Sequence, residues 1–321
     1  MKEDRRSPSV SDRTFSLLMR VGVMVLAIGV AAFGFMYYQD QHVDAGPSMI
    51  DRQTSAAEAA VKKAPNNIGA RLSLAASYRS VKRFDDSLAQ YDEVLKSDKA
   101  NRFALLGRGE VLIAKGDLKA AAVSYHKIAD VGSKGEFAGA DPQLEEARYY
   151  LGSIAVKQGN TKEAITWLAA ALKIDKTDSD ALYLMGVAEL RAGAPNLAVD
   201  ALTQALRFVP TGWCEPFTQL TLAYGELGNG PRKAYAAGMA NFCQKKPAEA
   251  KTQLKTLVKG PVAVDALLGL ALIAETESSN VEAASWYKRV LTLDRKNGTA
   301  IAALSRLGAG PTGISTTQGP S

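Results

Sequence analysis

The chain has 321 residues, 47% of them apolar and only 7% aromatic, which is enough to bury a substantial core in one large domain or two small ones. Its net charge of +6 comes from 39 Lys and Arg against 33 Asp and Glu, with no block of one sign. No basic stripe is interleaved with aromatics, which argues against a nucleic-acid partner, and two His without shared ligand spacing argue against a metal.

Residues 1–20 carry Lys2, Arg5, Arg6, Arg13 and Arg20. Residues 21–38 then read VGVMVLAIGVAAFGFMYY and contain no charge. That length suffices to cross a hydrocarbon core as a helix, and Tyr37 and Tyr38 stand where amphipathic rings favour the interface. The far flank has Asp40, Asp44 and Asp51 before its first base, Arg52. The positive-inside bias predicts residues 1–20 in the cytoplasm, a transmembrane helix over 21–38, and everything after it outside. A cleaved signal peptide is the rival reading, but the apolar run is longer than a usual signal core and no convincing A-x-A site ends it.

Residues 39–49 read as a linker. From residue 50 onward Ala and Leu dominate, and no strand-like alternation is sustained. Residues 50–64 predict a lone helix that covers the first repeated unit. Residues 68–101 and 102–135 align without a gap, Tyr78 with Leu112, Phe84 with Leu118 and Tyr91 with Tyr125. The Gly-rich stretch VGSKGEFAGADPQL (131–144) inserts about nine residues. Residues 145–178 and 179–212 align again: Gly152, Gly159, Ala164 and Ala171 return as Gly186, Gly193, Ala198 and Ala205. Three helices are predicted next, over about 214–227, 231–244 and 247–258, an odd number that must disturb the register. A last unit over about 264–297 offers Leu270, Ala271, Ala274, Ala283, Tyr287 and Val290. Residues 298–308 predict a closing helix. The tail over 308–321 is rich in Gly, Ser, Thr and Pro and predicts disorder.

A 34-residue helix–turn–helix period with these small and aromatic positions resembles the tetratricopeptide repeat (TPR). The resemblance covers most of residues 50–307. It departs from the family pattern where Arg71, Leu105, Arg148 and Leu182 replace the usual Trp, and where the closing Pro survives only as Pro65 and Pro210. The fold it implies is all-α, a right-handed α-solenoid behind one N-terminal transmembrane helix. Glycines 152 and 186 are expected where a second helix crosses closely, with Ala164 and Ala198 as the small partners on that helix. Glycines 116, 159 and 193 are expected to close left-handed turns. Leu168, Leu202 and Tyr125 are expected in the seam between units.

No G-x-S-x-G motif appears, and GNGPRK (228–233) lacks both the strand and the spacing of a phosphate loop. No catalytic, cofactor or metal site is expected, and so no enzyme. The function expected is surface binding. The family register places groove-facing residues at the second, fifth, ninth and twelfth positions of each unit. Here these are Leu72, Ala76 and Arg79; Phe103, Leu106, Glu110 and Ile113; Tyr149, Ser153 and Val156; Asp180, Tyr183, Val187 and Leu190. Leu72 and Ala76 stand where clamps for a C-terminal carboxylate carry polar and basic residues. The resemblance thus implies a membrane-anchored scaffold of bacterial type that binds proteins or peptide segments. A holding chaperone for exported chains and a regulatory docking subunit of a membrane enzyme are the alternatives.

The only two cysteines, Cys214 and Cys243, start and end two successive predicted helices, about equally far from the turn near Asn229. In an antiparallel hairpin they face each other at its open end. A disulfide is expected if the compartment is oxidising, two buried thiols otherwise.

Overall fold

The computed structural model describes residues 12–41, 48–208 and 213–309. Pro210, His42 and residues 310–321 of the expected tail lie outside them. Among the described residues there are sixteen α-helices, a single 3-10 turn at Ala138–Ala140, and no strand.

The first helix, α1 (Asp12–Gln41), is long and apolar enough to cross a membrane, a test that a signal sequence also passes. Its side chains from Val21 to Tyr38 are all exposed, so no other described part of the chain covers them. Fifteen shorter helices come after it: α2 (Met49–Lys63), α3 (Ile68–Ser80), α4 (Phe84–Ser97), α5 (Arg102–Ala114), α6 (Leu118–Gly132), α7 (Pro142–Gln158), α8 (Thr161–Leu172), α9 (Ser179–Arg191), α10 (Pro195–Phe208), α11 (Glu215–Glu226), α12 (Gly230–Cys243), α13 (Pro247–Lys255), α14 (Ala263–Thr276), α15 (Asn280–Leu293) and α16 (Gly298–Arg306). Each packs on the next from α2 onward, which makes the molecule an α-solenoid.

The helix ends arise from local chemistry. Asn67, Asn101, Asp117, Asp178, Asn229 and Asn297 cap the helices that begin after them, each side-chain oxygen accepting a first-turn amide. Every hairpin turn contains one residue in the left-handed conformation: Lys82, Gly116, Gly159, Gly193, Gly228, Lys245 and Ser278. The next amide then donates to the carbonyl five residues back, as from Asn160 to Ala155 and from Lys246 to Asn241. That bond closes a Schellman motif. Glycine relieves the backbone strain at four of these turns, while Lys82, Lys245 and Ser278 carry it.

Within a hairpin the two helices approach over a small residue. A Cβ added to Gly152 would lie 2.6 Å from Leu168 Cγ, and one added to Gly186 would lie 2.5 Å from Leu202 Cγ. Leu168 and Leu202 are fully buried. As expected, Ala198 lies at the crossing over Gly186, its carbonyl 3.3 Å from the added Cβ, while a leucine sixteen residues after each glycine fills the gap. Tyr125 does the same over Gly109, whereas Tyr91 wedges across a seam against Gly107 of the next unit.

Hairpins stack so that α3 touches α5, α5 touches α7, α7 touches α9 and α9 touches α11. First helices thus approach one another more closely than second helices do, and they form the inner, concave wall. Beyond α11 the parity changes. The skip contact is now between α12 and α14. α12 packs on α11 as a second helix and on α13 as a first helix. It gives Ala236 to the core of α10 and α11, and Met239 to the core of α13 and α14. Gly238 on α12 faces Leu254 on α13, again sixteen residues later. The left-handed Lys245 comes seventeen residues after Gly228, half a period.

Candidate protein-binding groove

The inner wall from α3 to α9 brings together part of the predicted set. Arg79 on α3 and Glu110 on α5 form an ion pair. Tyr150 on α7 donates its hydroxyl toward the same Glu110 carboxylate at 3.5 Å, and its ring stacks on Tyr125 with centroids 4.8 Å apart. Tyr149 meets Tyr150 edge-on at 5.3 Å. Tyr149 is half-buried, as is Ser153 beside it on α7. Farther along, half-buried Tyr183 lies 5.1 Å from the ring of Trp213 and shares a side-chain hydrogen bond with Gln219. Phe103 projects from the start of α5 with 66% of its surface exposed, and Asp180 is exposed at the start of α9.

Other predicted residues serve the core. Leu106, Val156 and Val187 are buried at 7–8% exposure within hydrophobic clusters. They are corrected here from groove residues to packing residues. The superhelix turns tightly enough that the neighbouring first helix covers these positions. Leu72 is half-buried and packs on the cluster of Ala75, Tyr91 and Ala104; Ile113 and Leu190 are half-buried too. Ala76 is exposed.

Three acidic and aromatic-flanking groups in the wall were not expected from the sequence. Glu146 stands at the second position of its unit, equivalent to Phe103 and Asp180, so the same register would have found it. Burial raises its carboxyl pKa, against the pull of Arg79. Tyr150, which carries the ring stack and the Glu110 contact, is the second. Glu145 is the third. Its pKa is pushed up to about 8 by burial and by a side-chain hydrogen bond with Asp178. One Glu145 oxygen is buried without a hydrogen-bond partner among the described residues. Two carboxylates can share that bond only with a proton between them. Among the expected residues, Asp180 is raised as well, by burial first and then by Asp178. Burial, with the carboxylates of Asp180 and Asp178 nearby, raises the Tyr149 hydroxyl.

The inserted residues after α6 are held down rather than loose: Arg102 pairs with Asp141 at 2.7 Å, and Arg148 donates to Ser133. Phe137 in that segment is 76% exposed. A shallow hollow of about 630 Å³ opens on the outer helix α8, beside Asn160, Lys162 and Trp167, away from the inner wall. His126 packs edge-on against Trp167. No group of three metal-ligating side chains occurs among the described residues.

The wall is therefore an acidic and tyrosine-rich strip with one ion pair. Such a surface can hold a polypeptide segment through ring contacts and charge.

Comparison with known proteins agrees with the architecture. The crystal structure of YrrB, described as a TPR protein with an unusual peptide-binding site, matches with a TM-score of 0.50 at 21% identity, covering 63% of this chain and 99% of that one. MamA matches with a TM-score of 0.48 at 24% identity, covering 55% and 97%. The CTR9 homolog protein of Arabidopsis thaliana is 24% identical over 199 residues, 60% of this chain, while the chain spans only 17% of that protein. Tetratricopeptide repeat profiles match residues 112–188 in one case and residues 72–130 and 235–298 in the other, together more than half of the sequence. With its repeated hairpins, its left-handed turns and these profile matches, the chain belongs to the tetratricopeptide repeat family, an interaction scaffold for other proteins.

Proposed function

We propose that the protein is a membrane-anchored scaffold that holds a partner polypeptide on the extracytoplasmic side and so assembles or stabilises an envelope complex. The anchor is α1, with basic residues before it and acidic residues after it. The observation that carries the binding role is the inner strip of Tyr149, Tyr150 and Tyr183 flanked by Glu146 and Asp180. Glu146 is half-buried, which raises its carboxyl, and Asp180 is exposed. A partner segment that alternates basic and apolar residues complements the strip, because its cations offset the desolvation of Glu146 and pair with Asp180.

Cross-linking in native membranes and then affinity purification tests the reading. The expected result is one or two proteins at fixed ratio, lost in the Tyr149→Ala/Tyr183→Ala variant without loss of folding. Truncating aromatic anchors at an interface typically costs about 2 kcal/mol or more. Many unrelated chains captured weakly would favour a holding chaperone instead. Unchanged capture with a lowered melting point would assign both rings to the core. A reporter active only in the cytoplasm, fused after Ala309, should be silent; an active one overturns the topology.

A further inference from the structure

The open end of the α11–α12 hairpin carries the only two cysteines of the chain. Cys214 is the residue before α11 and Cys243 the last residue of α12. Both are half-buried thiols, and their side chains share a hydrogen bond. No third cysteine competes for either of them. Cys243 also stands two residues before the left-handed Lys245 that turns α12 into α13. Cys214 comes directly after Trp213, whose ring lies against the groove residue Tyr183.

We propose that Cys214 and Cys243 form an intramolecular disulfide that staples the start of α11 to the α12–α13 turn and holds Trp213 against Tyr183. The oxidant is a protein dithiol carrier in its disulfide form. The Cys214 thiolate attacks one carrier sulfur and expels the other as a thiolate, giving a mixed disulfide. The Cys243 thiolate then attacks the Cys214 sulfur and expels the second carrier thiol. Two electrons pass to the carrier, and the two thiol protons end on its sulfurs. Burial, and next the hydrogen bond to Cys214, push the Cys243 thiol up to about 12. A thiol raised in this way lacks the low-pKa thiolate of a catalytic dithiol, so the bridge is structural. This inference does not depend on the groove reading, and its test reads thiols rather than partner capture.

The detergent-solubilised full chain is equilibrated with oxidised glutathione, denatured, alkylated and weighed intact. The expected species carries no alkyl group and is two hydrogens lighter than the reduced chain, while the Cys243→Ser variant takes up one glutathione at Cys214. Two alkyl groups, two glutathione adducts or covalent dimers in the wild-type chain would each overturn the bridge. In the bridged protein, acrylamide should quench tryptophan fluorescence less than in the reduced protein, a difference absent from the Cys214→Ala/Cys243→Ala variant. Equal quenching in both redox states would overturn the hold on Trp213.

Discussion

Between α3 and α10 each hairpin supplies one inner and one outer helix, and in the α7–α8 and α9–α10 hairpins a glycine, Gly152 or Gly186, lets a leucine of the outer helix into the gap. Between α11 and α14 the chain achieves continuous stacking with one helix too many. There α12 is outer toward α11 and inner toward α13. The two regions use the same local device, because Gly238 and Leu254 repeat the relation of Gly152 and Leu168. The sixteen-residue pairing of a small and a large residue thus recurs in hairpins on both sides of the change in parity, whereas the 34-residue count only spaces hairpins that do not share a helix.

Deleting the large partner in each region probes them most strongly. Leu168→Ala and Leu254→Ala should each cost about 2–5 kcal/mol, since both side chains are fully buried. Leu254 should lie toward the upper end. It abuts Gly238 and also Gly269 on α14, each at 3.0 Å from an added Cβ. A denaturant melt in which Leu254→Ala costs less than about 1 kcal/mol would refute the equivalence of the two regions.

Overfilling the gap is the next test. Gly152→Leu should cost about 1–3 kcal/mol by overpacking against Leu168. A neutral result would show that α7 and α8 separate freely.

A smaller effect concerns electrostatics in the regular region, where Glu145 on α7 reaches Asp178, the cap of α9. The folded Glu145 titrates at about 8, above its ordinary 4.5. A carboxyl raised in this way favours the fold at low pH; the contribution is complete below about 4.5 and lost as pH rises through about 8. Glu145→Gln should therefore match the wild type near about pH 5 and exceed it near about pH 9. After discounting for partial exposure the gain is about 1 kcal/mol, or about 2–4 °C in a thermal melt. A difference that does not change with pH would remove the shared proton.

The smallest effect has the opposite sign. Gly225 on α11 faces only the flexible end of Lys233, with an added Cβ no nearer than 3.6 Å. Gly225→Ala should be neutral or stabilise by up to about 1 kcal/mol, in contrast to Gly152→Leu. A clear destabilisation would mean that α11 and α12 cross as tightly as α7 and α8.

The all-α repeat architecture was legible because Gly152 and Gly186, like Ala164 and Ala198, recur at one interval. The left-handed turns were legible where glycine marks them. Lys82, Lys245 and Ser278 occupy the same conformation without a sequence signal, because surrounding hydrogen bonds impose it on ordinary residues. The odd helix could be counted but not placed: that α12 serves two hairpins depends on Ala236 and Met239 facing different cores. In the groove, a register position tells which way a residue points but not how far the neighbouring helix covers it. Phe103 is exposed while Leu106, three residues later, is buried. Tyr150 escaped because its role arises from Tyr125 and Glu110, contributed by two other helices.

Repeat arrays gain stability from each module and from its contact with its neighbours, so they can come apart module by module. α12 alters that arithmetic at one place. No cut between Glu215 and Lys255 leaves both the α11–α12 and the α12–α13 hairpin whole, because each claims the same helix. Under a pulling force the array should release its helices in twos, with one larger step where α11, α12 and α13 give way as a block.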